Sequence, residues 1–276
     1  MTMAIDWTYG YTARWRVDRI SAETWEPCGT LDGIDEITVE RDATDDVPLL
    51  ESASAKSASP ALDGFESGWH RITMECTQGT AAEAVAIATL WLDAGSGSYD
   101  KGYREDSIQG RSVLWQASDA AIGDGAYAPK GVDGAAWCAG ALSRAIDAPV
   151  KAVGGFELAD NVVFDLDASV LQAVWDVLRT AGWCLQIDGR GEVSVIALPA
   201  SPALVLDRNG ARIMQPKTGY GEDGASYTRE YQPNVHPLDI VRGALPERGL
   251  DGLYRITTQK LTCGRGVKVE ETAEVV

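Results

Sequence analysis

The sequence predicts an α+β fold, mostly β: two small antiparallel β-barrels flanking an α/β insert. Three observations predict it. Apolar and polar residues alternate with a period of two in the first and last thirds of the chain. The middle third turns to helical spacing. A short pattern in the first strand-rich end returns in the second. At roughly 100–200 residues per domain, 276 residues suggest about two domains by length alone. The expected boundaries are 1–110 for the first barrel, 111–198 for the insert and 199–276 for the second barrel.

In the first third, Tyr9 to Val17 alternates aromatic or apolar with polar residues. Ile34, Ile37 and Val39 mark a charged strand ending at Asp42. Asp46, Val47 and Pro48 predict a short helix running to about Ala55, with Pro48 in its first turn. Ser52 to Pro60, small and polar, predicts a loop. In His70 to Cys76, Ile72, Met74 and Cys76 point one way and Arg71, Thr73 and Glu75 the other. Val85 to Leu92 is apolar on both faces and fits a buried strand, although period alone leaves a helix open. Ala94 to Gly102 reads as a Gly/Ser loop, and Ser107 to Gly110 closes the region.

In the middle third, Arg111 to Ser118 looks helical, and Asp133 to Ile146 repeats Trp137, Ala141, Leu142 and Ala145 at helical spacing. Asn161 to Leu166 reads as a strand. Asp167 can cap a helix with the apolar face Leu171, Val174, Trp175 and Leu178, and Gly182 follows where a C-terminal glycine belongs. Trp183 to Ile187 and Glu192 to Leu198 predict a hairpin around Asp188-Gly189-Arg190-Gly191. Pro199 to Pro202 reads as a linker. Strands follow at Ser226–Tyr231, Asp239–Arg242, Tyr254–Cys263 and Val267–Val275, the second of them kept short by Pro237 and Pro246.

Charge and composition exclude several functions. With 24 Lys and Arg against 41 Asp and Glu, the net charge is −17. That is the wrong sign for a nucleic-acid gripper or a partner of anionic membrane, and it also serves plain solubility. Met1 to Gly10 shows no signal-peptide pattern, and the longest apolar run, Ala84 to Leu92, is far short of the roughly 20 residues a membrane helix needs. The five cysteines (Cys28, Cys76, Cys138, Cys184, Cys263) are scattered, odd in number and without a CxxC, which predicts reduced core residues in a protein folded in a cytoplasm. His70 and His236, the two histidines, lie near no cysteine pair, which argues against zinc.

The motifs that could carry chemistry have bland readings. Gly219-Tyr220-Gly221-Glu222-Asp223-Gly224 fits the dinucleotide spacing but lacks the strand before and helix after it, and its two acids would repel phosphate. Asp45/Asp46, Asp165/Asp167 and Glu270/Glu271 are paired acids of the kind a glycosidase sets across a cleft, yet 41 acids produce such pairs without function. Ser112 lacks the second glycine of a nucleophile elbow. His70 and His236 read as structural. No EF-hand loop is present. No catalytic, cofactor-binding or metal-ligating residue is therefore assigned, and no cofactor is expected. Among nine tryptophans, Trp91, Trp137 and Trp175 sit on apolar faces and are expected in the core. Trp7, Trp15 and Trp25 lie among polar residues and suit a protein interface, or a carbohydrate platform.

Gly68-Trp69-His70-Arg71-Ile72-Thr73 and Gly252-Leu253-Tyr254-Arg255-Ile256-Thr257 share the pattern G-x-aromatic-R-I-T, with His counted as aromatic. A match this short arises by chance as well as by duplication, and both stay open. Three stretches carry a wider resemblance: Ile108-Gln109-Gly110-Arg111-Ser112-Val113-Leu114; Val170 to Leu198, with its helix and Gly182-Trp183-Cys184-Leu185-Gln186-Ile187-Asp188-Gly189-Arg190-Gly191 hairpin; and His236-Pro237-Leu238-Asp239-Ile240-Val241 followed by Gly252-Leu253-Tyr254-Arg255-Ile256. In this order they resemble the baseplate hub proteins of tailed bacteriophages. The resemblance implies a structural, non-enzymatic protein of the virion tail baseplate or tip, assembled in the host cytoplasm. Three copies would form a ring that adapts a sixfold tail tube to a threefold tip. It implies as partners a tail tube or distal tail protein, a tip or spike protein and a tape-measure protein, with DNA a transient passenger and no membrane insertion. Larger members carry a lysozyme, peptidase or fibre domain after the second barrel; this chain ends there, which puts a wall-degrading role in doubt. The rival readings are a carboxylate-based glycoside hydrolase and a carbohydrate-binding module of a tail tip.

Overall fold

The computed structural model describes residues 5–7, 11–31, 34, 36–44, 47–57, 66–93, 97–100, 103–207, 213–215, 224–264 and 267–276. The chain opens with β1 (Thr12–Ile20), β2 (Pro27–Leu31), β3 (Glu36–Thr44), β4 (Val47–Ser57), β5 (Gly68–Gln78), β6 (Ala81–Asp93), β7 (Gly97–Asp100) and β8 (Tyr103–Arg111). A mixed middle section follows: α1 (Trp115–Asp119), β9 (Tyr127–Ala128), α2 (Gly134–Leu142), β10 (Val150–Val153), β11 (Val162–Val163), α3 (Val170–Arg179), β12 (Trp183–Ile187) and β13 (Val193–Ala197). The last section is β again: β14 (Pro202–Leu206), β15 (Ile213–Gln215), β16 (Gly224–Glu230), β17 (Ile240–Leu245), β18 (Leu250–Cys263) and β19 (Val267–Val275). The fold is α+β and mostly β.

One large sheet takes strands from both ends of the chain, in the order β15-β16-β19-β18-β3-β4-β8-β6-β5-β1-β2. The junction is β18. Along one edge its first half pairs antiparallel with β17, while residues 258–263 pair antiparallel with β3. Among the described residues the path runs open from β15 to β2. β18 also spans two apolar cores. Tyr254 and Ile256 sit with Leu206, Tyr227 and Ala273. Leu261 and Cys263 complete a second core with Ile37, Val39, Ile72, Met74, Leu90 and Ile108. A third core belongs to the middle section, where α2 and α3 cover the three-stranded sheet β10-β13-β12 and Ile20, Ala43, Leu49 and Trp69 reach in from the large sheet.

The hairpin of β12 and β13 falls where the Asp-Gly-Arg-Gly loop puts it, and β19 has the expected ends. Elsewhere long-range pairing overrides local signals. The expected helix Asp46–Ala55 and much of the expected loop Ser52–Pro60 are β4: Glu51 and Ala53 face in, Ser52 and Ser54 face out, and β3 and β8 pair on either side. Asp46 and residues 58–60 lie outside the described residues. Half of the expected Ala94–Gly102 loop is β7, folded onto β8. The helical reading of Arg111–Ser118 shrinks to α1, because Arg111 still pairs in β8 with Ser52 and Trp91. The strand expected at Asn161–Leu166 keeps two residues as β11. Ser169, not Asp167, caps α3: its hydroxyl accepts the Gln172 N–H at 3.1 Å, and Asp167 stands too early to reach a free N–H. The buried face of α3 is Val170, Leu171, Ala173, Val174, Val177 and Leu178; Trp175 is only half-buried, at the flank. β10 was not foreseen; it lies parallel to β13, as β14 lies parallel to β17.

Candidate functional site: a polar face across the sheet junction

Strand alternation sets two sides at the β4-β3-β18-β19 junction. Outward point Ser52 and Ser54 from β4, Glu36, Thr38, Glu40 and Asp42 from β3, Thr258, Lys260 and Thr262 from β18, and Lys268, Glu270, Thr272 and Glu274 from β19. Direct cross-strand pairing aligns Ser52, Glu40, Lys260 and Glu270 in one row, and Ser54, Thr38, Thr262 and Lys268 in the next. The rows hold no large apolar side chain. Acids outnumber lysines, and two of them are matched, Lys260 to Glu40 at 2.6 Å and Lys268 to Glu270 at 3.0 Å. Pairs this exposed contribute little stability. Their effect is a hydrophilic surface made jointly by both ends of the chain.

Behind this face lies a buried polar ladder. Glu51, Arg41, Gln259 and Glu271 are direct cross-strand neighbours on four successive strands. Arg41 Nε donates to Glu51 Oε1 at 2.6 Å and Arg41 Nη1 to Gln259 Oε1 at 3.0 Å; Gln259 Nε2 donates to Glu271 Oε1 at 2.8 Å. Arg229 closes the row with a two-point contact to Glu271. Each charge faces an opposite charge, which is the condition for holding ions out of water. Burial pushes the Glu51 carboxyl up against the pull of Arg41. His236, beside the ladder, is driven down to about 3 by burial and then by Arg41 and Arg229, so it is neutral at pH 7. The sequence signal for these residues is that Arg41 and Gln259 occupy inward positions of strands that otherwise alternate.

A second junction locks the middle section to the large sheet. The β12–β13 loop lies on β6. A Cβ at Gly189 would come within 1.8 Å of the Ala86 carbonyl oxygen, so only glycine fits there. Thr89 Oγ1 donates to the Gly189 carbonyl at 3.0 Å, and Arg71 donates from Nε to Thr89 Oγ1 and from Nη2 to the Arg190 carbonyl. Trp25 Nε1 donates to the same Arg190 carbonyl at 2.7 Å. Rings then run in contact from Trp25 to Trp69 (5.3 Å), Trp91 (5.4 Å) and Trp115 (6.3 Å). Trp25 therefore serves an interface within its own chain. Trp7 packs edge-on to Tyr11 and Tyr231, and Trp15 donates to the Gly264 carbonyl. Trp7 and Trp15 pack against one core and Trp25 against another, so the three are not brought together as one platform. Trp91 and Trp137, expected in the core, are partly buried and pack against its edge.

The candidate chemical groups do not converge. Ser112 is buried and its hydroxyl accepts the Leu114 N–H. His70 lies buried in β5 with Nδ1 2.9 Å from the Gly68 carbonyl. Asp165 and Asp167 are exposed, Glu271 is locked to Arg229, and Glu270 faces the other way. Asp45/Asp46 and the Gly219–Asp223 segment lie outside the described residues. All five cysteines are free thiols, but only four are core residues: Cys28, on β2, is exposed, while Cys138, Cys184 and Cys263 are raised to about 12 and Cys76 to about 11, chiefly by burial.

No protein-family model and no curated protein sequence matches the chain. Solved structures do. A tail protein from Neisseria meningitidis superposes with a TM-score of 0.62 at 14% identity, over 97% of each chain. The 43 kDa tail protein of prophage MuSo2 from Shewanella oneidensis gives 0.65 at 11% identity, over 94% of this chain and 97% of that one. The fold is that of phage tail proteins. The tail-protein fold also reaches a component of the type VI secretion system of E. coli, itself described as similar to T4 tail proteins, with a TM-score of 0.53 at 10% identity over 97% of this chain and 77% of that one. The resemblance carried by the three sequence stretches thus holds at the level of fold.

Proposed function

We propose that the chain is a structural, non-enzymatic component of a phage or prophage tail, its hub, working in the virion tail baseplate or tip. Three copies form a ring, the polar face of β4-β3-β18-β19 lines the channel, and DNA passes without adhering. In this reading residues 1–110 and 199–276 act as two tube-like barrels per chain, six in the ring, matched to a sixfold tube above and a threefold tip below. Residues 111–198 form the insert between them. The partners are a tail tube or distal tail protein, a tip or spike protein and a tape-measure protein.

The observation that carries the reading is the junction itself. A tail-protein fold in which β3 and β18 join both chain ends into one hydrophilic, net acidic face has the surface a DNA conduit needs. Basic walls would bind phosphate by releasing counterions; acidic and hydroxyl-bearing walls avoid that. Nothing in the geometry favours the glycosidase reading, since the paired acids do not face each other across a cleft in the described residues. Native mass spectrometry of the purified chain, alone and with its tail tube protein, tests the proposal. The expected species is three times 29.5 kDa. A monomer under both conditions overturns it.

A further inference from the structure

Among the described residues, three that are not glycine hold left-handed backbone. Asn234 tolerates it; Trp25, at φ 58° in the β1–β2 connection, and Leu238, at φ 72° in the β16–β17 connection, do not. That conformation brings Cβ too close to the following carbonyl oxygen, and it persists only where the surroundings hold it. An arginine holds it in both cases. Arg71 Nη2 donates to the Trp25 carbonyl at 3.2 Å, and Arg255 Nη1 to the Leu238 carbonyl at 2.8 Å. The same two nitrogens reach the β12–β13 hairpin, Arg71 at the Arg190 carbonyl in its loop and Arg255 at the Pro199 carbonyl just past its end. Arg71 and Arg255 hold the fourth place of the two related hexapeptides. One clamp thus occurs twice, on β5 and on β18.

The two clamps differ in what backs them. Beside Trp25, the opening strands send Ile20, Ala43, Leu49 and Trp69 into the middle core. From residues 199–276, Leu238 is the apolar side chain packed against that core among the described residues. It rides on a short strap, residues 236–239, that is closed on itself: the His236 N–H donates to Asp239 Oδ2 at 2.8 Å and the Asp239 N–H to the His236 carbonyl at 3.2 Å. Val235, whose carbonyl accepts Gln259 Nε2 at 3.0 Å, pins one end, and β17 begins at the other. Two backbone bonds lay the strap on β18, Leu238 N–H to the Ile256 carbonyl at 2.8 Å and Ile256 N–H to the Asp239 carbonyl at 3.0 Å. Its side-chain bond to the middle section, Gln186 Nε2 to Asp239 Oδ1, is long at 3.4 Å. We propose that the strap is a sprung latch between the last section and the middle section. Closed, it seats Leu238 against the middle core on left-handed backbone that Arg255 holds. Open, Leu238 relaxes and vacates its seat, while pairing of β18 with β3 keeps the last section in place. The Trp25 clamp, backed by the core, is its fixed counterpart. The inference does not depend on the ring.

Amide hydrogen exchange of the full chain, read at Ile256 and corrected for intrinsic rates, tests it. In the parent, Ile256 is expected to exchange about tenfold or more faster than the amides of the β18–β19 ladder, because the latch opens without global unfolding. Arg255→Lys should speed Ile256 by about a further tenfold, and Arg71→Lys should leave it unchanged. The spring has its own signature. Leu238→Ala and Leu238→Gly both remove the side chain, but only glycine also relieves the left-handed backbone. Ile256 should therefore exchange about fivefold slower in Leu238→Gly than in Leu238→Ala. A purely hydrogen-bonding role for Arg255 would leave those two variants equal. Circular dichroism checks that each variant is folded; should Arg255→Lys not fold, the alanine–glycine comparison decides alone. Three results each overturn the proposal: Ile256 exchanging together with the ladder, equal rates in the alanine and glycine variants, or equal acceleration by Arg71→Lys and Arg255→Lys.

Discussion

Arg41 and Gln259, 218 residues apart in sequence, meet side chain to side chain at 3.0 Å where β3 joins β18. They are also direct cross-strand partners, so the contact belongs to one register of that junction. A slip of one residue would turn Arg41 outward and put Glu40 or Asp42 into the apolar core. The buried charges thus specify how the two ends of the chain join.

Removing one member should be severe. Arg41→Ala leaves Glu51 buried opposite nothing and is expected to cost about 3–5 kcal/mol. Arg41→Met combined with Glu51→Leu, which removes both charges and keeps the volume, should recover most of the loss. Urea unfolding of the three proteins measures it. A single variant within about 0.5 kcal/mol of the parent would show that the ladder does not hold the junction.

The docked loop makes a separate prediction. Gly189→Ala pushes a methyl group into the Ala86 carbonyl and must lift the loop from β6. The expected cost is about 1–3 kcal/mol. Release of the Trp25–Arg190 contact should accompany it, seen as faster proteolysis between the middle section and the large sheet. An unchanged digestion pattern would mean that the loop is not the lock.

His236 gives a pH signature. Its folded pKa of about 3 lies below the usual imidazole value of 6.5 because of burial, Arg41 and Arg229. The unfolded chain therefore binds the proton first as pH falls. Stability from this residue is complete above about pH 6.5 and is lost progressively toward pH 3. Comparing the parent with His236→Asn isolates the effect: between pH 7 and 5 the parent should lose stability faster. Parallel curves would show that His236 is solvated.

The repeated hexapeptides lie on β5 and β18, Ile72 in one apolar core and Ile256 in another. Ile72 and Ile256 are both buried, and face Ala88 and Ala273 across β5–β6 and β18–β19, with a register shift just after each. The preceding arginines each reach a backbone carbonyl outside their own strand pair, Arg71 that of Arg190 in the β12–β13 loop and Arg255 that of Pro199 just past β13. Ile72→Ala and Ile256→Ala should each cost about 2–5 kcal/mol by leaving cavities. A neutral effect at either site breaks the equivalence.

What the sequence disclosed follows from the range of the forces involved. The β12–β13 hairpin and the helix before it are set by neighbours a few residues apart, and both were legible. β4 was not, because Pro48 and the small residues after it mimic a helix start and a loop, and only pairing with β3 and β8 makes them a strand. The cap of α3 lies two residues later than expected because Asp and Ser are equally good cap residue types, and the helix start at Val170 puts Ser169, not Asp167, within reach of a free N–H. The candidate face was invisible for a different reason. Glu40, Lys260 and Glu270 become one row only once β3 and β18 pair, and no local pattern in either strand announces that partner.

In the proposed threefold ring, the row Ser52, Glu40, Lys260 and Glu270 faces the channel. An electron cryomicroscopy reconstruction of the tail containing this chain tests it most directly. The expected density shows three copies around the axis, with Glu40 and Lys260 of each turned toward the lumen. A reconstruction with that face on the outer wall, or with a copy number that is not a multiple of three, would contradict it.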